Sequence, residues 1–456
     1  MIDRIIQEQA ARVPTRDFLI AGTRNYSYED AWRRLRSFAD QWETQADRRW
    51  AFYTGDAAAA IIGVAAAAQL RVQSCILNYP SPLSDIEELV RGLEIGVVFS
   101  DSPLPLARTT VASLPKKESP SCVSSARCET EGTAEIIILT SGTTGRPKGA
   151  LYRWSHLIAQ AAQEERLRGA RWLLTYNMNH FAGFQVLVHA LVNAGTLIVP
   201  QTQSIADVLQ AARQHRAGYL SGTPTFWRMV VGYLEHTPVE GLCLEQITIG
   251  GEPVTEDVLV RVRRLFPGVP ISQVFATTEL GWCFSIKDGL PGFPVSYLST
   301  DKAGVSLKIV DGELVVKSLH SMERYWEDKS DSQGTWRGTG DLVEVVGDRV
   351  LFLGRKSEVV NVGGAKVHPS RVESVILKVP GVSNVRVYGV PNPITGQIIA
   401  ADITVERGSQ RDQIEEQVRI RCRHELDRYH QPRRIRVIES LPSLNQKVLR
   451  RADAEA

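Results

Sequence analysis

At 456 residues the chain is about three times the roughly 150 residues of a typical domain, which excludes a peptide hormone or a small disulfide scaffold and implies two or three domains. Apolar residues supply 43%, charged residues 23% and aromatic residues 7%, a globular balance far from that of a disordered chain. Lys plus Arg total 53 against 51 Asp plus Glu, a formal charge of +2, so no bulk field draws in nucleic acid or an anionic membrane and any anionic ligand must be held locally.

In chain order, the first residues (MIDRIIQEQAARVPTRDF) mix acids with bases and lack an apolar run leading to a small-residue cleavage site, so no signal peptide is expected. Six cysteines without a CxxC pair describe neither a disulfide framework nor a zinc ribbon, and a reduced cytoplasmic setting follows. Ser37 to Ala46 reads as helix. Ala57 to Leu70 is too short for a membrane span and reads as a buried, Ala-rich helix. Cys75 to Asn78, Gly96 to Ser100 and Glu135 to Leu139 read as strands, and their alternation with helical stretches indicates βαβ units around a largely parallel sheet. The Ser-, Pro- and Thr-rich stretch from Asp101 to Thr133 reads as a surface connection. Gly195 to Pro200, Ala217 to Leu220 and Gln246 to Ile249 extend the sheet, with a helix at Ile205 to His215 between them.

From about Gly292 the pattern becomes short strands and turns (Ser306 to Val310, Glu313 to Ser318, Val343 to Val346, Val350 to Leu353), predicting an antiparallel, barrel-like subdomain. After Gly354-Arg355 it returns to mixed α/β, with an Arg-rich helix from Gln410 to Leu426 and a strand from Ile435 to Ile438. The expected architecture is therefore α/β: a large N-terminal domain over 1–353, with βαβ sheet layers and the barrel-like β subdomain, and a small mobile α+β lid over 354–456.

Leu139 to Gly149 (LTSGTTGRPKG) follows a strand and offers the hydroxyls of Thr140, Ser141, Thr143 and Thr144, the glycines Gly142, Gly145 and Gly149, and one cation, Lys148. Small residues let backbone N–H groups approach an anion, and the lysine adds charge. This composition suits a phosphate loop as well as a flexible turn. It is not a Walker A loop, because Pro147 and Gly149 stand where that motif needs Gly and Ser or Thr.

The string resembles the phosphate-loop signature of the adenylate-forming superfamily, which contains acyl- and aryl-CoA synthetases, adenylation domains and luciferases. Further motifs follow in that family's order. Phe275-Ala276-Thr277-Thr278-Glu279 resembles its aromatic-Gly-x-Thr-Glu motif, with Ala276 replacing glycine. The resemblance implies that Phe275 packs on adenine, Thr278 meets the α-phosphate and Glu279 helps to hold Mg2+, an ion that takes one or two carboxylates plus phosphate oxygens. Thr339-Gly340-Asp341 and Gly354-Arg355 match the ribose-binding motifs. Gly250-Gly251-Glu252 occupies the place of a segment lining the adenine and acyl sites.

Lys447 resembles the family's adenylation lysine, with Gln446 where glycine is usual. Asn179-His180-Phe181-Ala182-Gly183, followed by Phe184, resembles the segment that CoA synthetases place beside the acyl site. That resemblance makes His180 a gate or pocket-wall candidate, although a lone histidine is also a common structural residue, and Phe181, Gly183 and Phe184 pocket candidates. Trp282 is either a pocket wall or core. Gly363 and Gly364 resemble the loop that forms the pantetheine tunnel, and Ser357 stands near the family's hinge, usually Asp or Lys. Seven arginines between Arg419 and Arg436 against two acids form either a solvated face or a receiver for the phosphates of CoA or an acidic carrier.

The resemblance implies an AMP-forming ligase using ATP and Mg2+ to activate a small-molecule carboxylic acid and pass the acyl group to a thiol, either CoA or the phosphopantetheine of an acyl carrier protein. A stand-alone adenylating enzyme with an amine acceptor and a non-catalytic nucleotide-binding relative are the alternatives. Neither nucleic acid nor a membrane span is expected. The phosphate loop comes early for this family, so the N-terminal portion is expected to be trimmed, which either narrows the acyl pocket or exposes a surface used for homodimerisation.

Overall fold

The computed structural model describes residues 1–114, 134–140, 148–328, 333–406 and 408–441, with the backbone alone at 443–444 and 447–448. Among these residues two helix-covered sheets form the body. The seven-stranded sheet runs, in spatial order, Arg324–Tyr325, Lys148–Arg153, Glu135–Thr140, Ser74–Ile76, Arg49–Tyr53, Ile95–Ser100 and Thr110–Ser113. Its pairings are parallel from Glu135–Thr140 to Thr110–Ser113 and antiparallel at the other edge. Strands such as Glu135–Thr140 (EIIILT) are buried at nearly every position, as expected of parallel strands covered on both faces. The stretch read as a surface connection thus supplies the edge strand Thr110–Ser113, while 115–133 lies outside the described residues.

The eight-stranded sheet runs Gly281–Ile286, Ile271–Thr277, Gln246–Gly250, Tyr219–Gly222, Arg171–Leu173, Thr196–Val199, Asp17–Ala21 and Arg24–Ser27, with antiparallel strands only at its two edges. One core joins the two sheets, built on helices Tyr28–Trp42, Ala57–Gln69 and Phe181–Val192. Ala57–Gln69 is buried along ten of its residues, and its alanines keep it thin enough to lie in that layer. Tyr28–Trp42 begins nine residues before the expected helix start because Ser27 and Asp30 form a capping box that satisfies its first amides.

The barrel-like subdomain is a five-stranded antiparallel sheet of Phe293–Pro294, Arg349–Arg355, Trp336–Val346, Glu313–Ser318 and Val305–Val310. Trp336–Val346 starts seven residues earlier than its expected strand, so Thr339, Gly340 and Asp341 sit within a β ladder. The neighbouring strand runs through Gly354 to Arg355, and a short 3-10 helix, Lys356–Glu358, leads to the C-terminal unit.

That unit carries the sheet Ala365–Val367, Val360–Val362, Gly396–Val405 and Val382–Asn392, with Arg434–Val437 parallel to Gly396–Val405. Helices Pro369–Ile376 and Arg411–Glu425 cover a core drawn wholly from residues after Val359, so its packing is independent of the body. It meets the body at a cleft between Thr225, Arg228 and Glu252 on one side and Ser370, Glu373 and Asn384 on the other, with an Arg261–Glu406 ion pair at 3.4 Å.

Candidate active site

The phosphate-loop hairpin fixes the first wall of the site. Thr140 is buried at the end of one strand and pairs with Lys148 at the start of the next. Ser141, Gly142, Thr143, Thr144 and Gly145 lie outside the described residues. Lys148 places its ammonium 5.3 Å from the centre of the Tyr325 ring. The Tyr325 hydroxyl in turn donates to Glu279 Oε1 at 2.8 Å.

Tyr152, four residues after Lys148 on the same strand, donates from its hydroxyl to the Thr278 carbonyl at 2.7 Å. Its ring centroid lies 5.6 Å from that of Phe181, at the first position of helix Phe181–Val192, so three motifs far apart in sequence converge on this phenol. Burial, and next the nearby Glu279 carboxylate, raise the Tyr152 and Tyr325 hydroxyls well above their ordinary range, so both remain protonated donors at neutral pH. Arg337 acts in the opposite direction on both phenols, which places its charge in the same neighbourhood. Its Nε is buried and has no hydrogen-bond partner among the described residues. A lysine, a carboxylate with one oxygen engaged by a phenol, and an arginine with an unmet donor fit a polyphosphate with a divalent cation.

The ribose motifs also come together. Arg355 Nε lies 3.0 Å from Asp341 Oδ1, across the register pair Asp341–Arg355, and Arg355 also donates to the Thr339 carbonyl at 2.6 Å. Thr339 Oγ1 accepts from the Asp341 amide at 3.0 Å, which fixes the approach of the carboxylate. Phe275 stacks on Phe284 and Phe352, each with centroids 5.2 Å away, so much of its ring is committed to the barrel core. Ala276 pairs with Trp282 just after a register shift, and its methyl packs on the central core. Thr277 Oγ1 accepts from the Leu280 amide and shapes the turn that presents Thr278 and Glu279.

The Gly250-Gly251-Glu252 segment is explained residue by residue. A Cβ on Gly250 would lie 2.6 Å from the Val274 carbonyl of the adjacent strand, and Gly251 has φ +81°, in the left-handed region that favours glycine. Glu252 Oε2 accepts from the Thr225 amide at 3.0 Å and so satisfies the first turn of helix Pro224–His236. Gly250→Ala is expected to lower stability by about 1–3 kcal/mol through the forced strand shift, read as a reduced Tm; unchanged melting would contradict the close approach.

Other expectations need correction or placement. Phe184 is fully buried in the central core, its ring centroid 5.9 Å from that of Trp154. His180 is half-buried immediately before helix Phe181–Val192, and a Cβ on Gly183 would lie 2.5 Å from the Asn177 carbonyl. Trp282 is partly buried; its amide donates to Gln160 Oε1 at 2.7 Å and its ring meets His320 edge-on. Ser357 is exposed in the short 3-10 helix. Gly363 and Gly364 form the turn between two short strands, held by Gly363 N–H to the Thr395 carbonyl and Gly364 N–H to Asn361 Oδ1. This turn rests on residues of the C-terminal unit. The Lys447 side chain lies outside the described residues, while the backbone of its short strand, Lys447–Val448, lies against helix Pro224–His236.

Sequence reasoning missed Tyr152, Tyr325 and Arg337. Tyr152 carried a signal, being on the hairpin strand and on the same face as Lys148. Tyr325 carried none, because it reaches the site through the pairing of Tyr325 with Ala150.

Comparison with known proteins supports the same picture. A model of the AMP-binding enzyme family matches residues 6–326, and one of the AMP-binding enzyme C-terminal domain matches 371–446. The chain is 27% identical over 337 residues to a 2-succinylbenzoate–CoA ligase of Bacillus subtilis, covering 69% of this chain and about two thirds (67%) of that relative. It is 28% identical over 448 residues to a 4-chlorobenzoate–CoA ligase of a Pseudomonas species, covering 89% and 84% of the two chains. The solved structure of the o-succinylbenzoate CoA synthetase of Bacillus subtilis with its acyl-adenylate intermediate superposes with TM-score 0.77 at 22% identity, covering 98% of this chain and 96% of that one, which shows the shared fold. Among the described residues no helix is long and apolar enough to cross a membrane. With both family models matched in order along its length, the chain belongs to the AMP-binding enzymes, the adenylate-forming family.

Proposed function

We propose that this protein is an AMP-forming aryl-CoA ligase of the cytoplasm, activating a benzoate-type carboxylic acid and transferring it to CoA. The observation that supports the reading is the linkage of Lys148, Tyr325 and Glu279 through one phenol, beside which the ribose-motif residues Asp341 and Arg355 are themselves paired. The relatives named for 2-succinylbenzoate and 4-chlorobenzoate, both benzoate derivatives, favour an aromatic acid and CoA over a carrier protein.

In this reading Asp341 accepts hydrogen bonds from the ribose hydroxyls, and Arg355 orients that carboxylate. Lys148 and Arg337 face the phosphates. Glu279, held by Tyr325, offers its second oxygen to Mg2+, which neutralises phosphate charge when bound. A carboxylate oxygen of the acid attacks the α-phosphorus, the bond to pyrophosphate breaks, and an acyl-adenylate results. The CoA thiol then adds to the acyl carbon, loses its proton, and AMP leaves carrying the oxygen that came from the acid. Lys447 assists the first step, where charge builds between the acid and the departing pyrophosphate. We place the hinge between the two steps at the 3-10 helix Lys356–Glu358, with Gly363 and Gly364 lining the thiol's approach in the second.

A pyrophosphate-release screen across benzoate derivatives, short, β-keto, amino and fatty acids, run with and without CoA, tests the reading. Turnover is expected to be at least about tenfold faster with the preferred aromatic acid than with any aliphatic or amino acid, a margin of about 1.4 kcal/mol in transition-state binding. Preference for an aliphatic acid would refute the substrate class.

A further inference from the structure

We propose that Tyr325 is a positioning residue that fixes the metal-binding carboxylate of Glu279 and couples it to the phosphate-loop lysine. This inference rests on the adenylating reading of the same site. The backbone builds the contact on three sides. The Met322 amide donates to the carbonyl of Glu279 itself at 3.1 Å, the Glu323 amide donates to the Leu151 carbonyl at 2.8 Å, and Tyr325 pairs with Ala150 on the strand that begins at Lys148. The short segment from Met322 to Tyr325 is therefore stitched to the carboxylate's own residue and to the phosphate-loop hairpin together.

From that position the phenol does two things. Its hydroxyl donates to Oε1 of Glu279 at 2.8 Å, which fixes the rotation of the carboxylate and leaves Oε2 for a cation. Its ring lies beside the Lys148 ammonium at 5.3 Å, in the range of a cation–π contact, which restrains the lysine without neutralising it. A carboxylate at position 325 would do neither, and an amide would lack the aromatic face. Carboxylates that ligate cations lose affinity when the outer partner that orients them is removed, commonly by 10–100-fold.

The test replaces only the hydroxyl, in Tyr325→Phe, and uses Mn2+ as the probe. Binding of Mn2+ to the enzyme·ATP complex, followed by electron paramagnetic resonance, is expected to weaken by about tenfold, and the Mg2+ concentration needed for half-maximal pyrophosphate exchange to rise in parallel. Excess Mg2+ should restore the exchange rate of Tyr325→Phe, a rescue that a merely structural defect would not show. Adding Tyr325→Phe to Glu279→Gln should bring no further loss of Mn2+ affinity, because the two residues act through one contact. Unchanged Mn2+ binding in Tyr325→Phe, or additive losses in the double variant, would overturn the proposal. The metal titration reads out whether or not an acid substrate has been found: failure of the acid screen with normal metal coupling would count against the ligase reading alone. Should Tyr325→Phe fold poorly, Glu279→Gln supplies the second arm, since it keeps the phenol and removes the carboxylate that the phenol holds: Mn2+ affinity is expected to fall by at least about tenfold, and unchanged affinity would equally overturn the assignment.

Discussion

Lys447→Ala is expected to reduce carboxylate-dependent ATP–pyrophosphate exchange by about 10²–10³-fold while leaving thiolysis of a supplied acyl-adenylate within about threefold of the wild type. The asymmetry follows from where charge moves. In adenylation, negative charge spreads between the incoming carboxylate and the outgoing pyrophosphate, and a positioned ammonium stabilises that distribution. In thiolysis the leaving group is AMP, and no charge passes to a departing pyrophosphate. The strand Lys447–Val448 lies against helix Pro224–His236, whose first turn is held by Glu252 of the Gly-Gly-Glu segment. Equal loss of both half-reactions would contradict the division of labour between the domains.

Asp402→Ala is expected to destabilise the C-terminal unit by about 3–5 kcal/mol, the scale of removing one partner from a buried ion pair. Asp402 is 0% exposed and Arg386 2% exposed, and their side chains meet at 2.5 Å. Arg436 Nε lies 2.7 Å from the other carboxylate oxygen, and the Tyr388 hydroxyl donates to that oxygen at 3.2 Å. Removing the carboxylate strands Arg386 in the core of the unit that carries Lys447. The measurement is chemical denaturation followed by limited proteolysis: residues 360–440 should become sensitive at lower denaturant while the body resists. Both half-reactions should fall together, in contrast to Lys447→Ala.

Burial by itself would raise the Asp402 pKa, but the hydrogen bonds from Arg436 and Arg386 outweigh it and hold the carboxyl below its ordinary range. Its stabilising contribution is therefore complete above the unfolded carboxyl value of about 3.9 and is lost as pH falls through the lower folded value. Near-neutral pH leaves the network intact.

The linear motifs were legible because each is a local string whose chemistry depends on neighbours in sequence. Thr140, Lys148, Asp341 and Arg355 could be named without a fold. The buried strands were legible for a similar reason, since runs such as EIIIL need cover on both faces. Trp336–Val346 was seen only in its second half, because Gly338, Gly340 and Asp341 have the composition of a turn; in the fold the ladder to Arg349–Arg355 overrides it.

Tyr325 shows where the sequence stops informing. Its role depends on pairing with Ala150 and on a hydroxyl contact to Glu279, and no spacing rule links those three positions. The arginine run shows the converse. Arg419 and Arg421 pair with Glu415 and Glu425, one helical turn away, and Arg436 joins the buried Asp402 network, so much of the apparent local charge is spent on holding the unit together. Phe184 read as a pocket residue because it adjoins the His180 segment; in the fold it packs with Phe181 in the central core.

The most direct measurement follows oxygen. A benzoate-type acid labelled with ¹⁸O in both carboxylate oxygens, incubated with the enzyme, Mg·ATP and CoA, should give acyl-CoA and AMP in equal amounts, with one ¹⁸O in the phosphate of each AMP and none in pyrophosphate. That outcome requires the carboxylate to attack the α-phosphorus and AMP to leave with the acid's oxygen. Formation of ADP with the label in inorganic phosphate, or of acyl-CoA with unlabelled AMP, would contradict it.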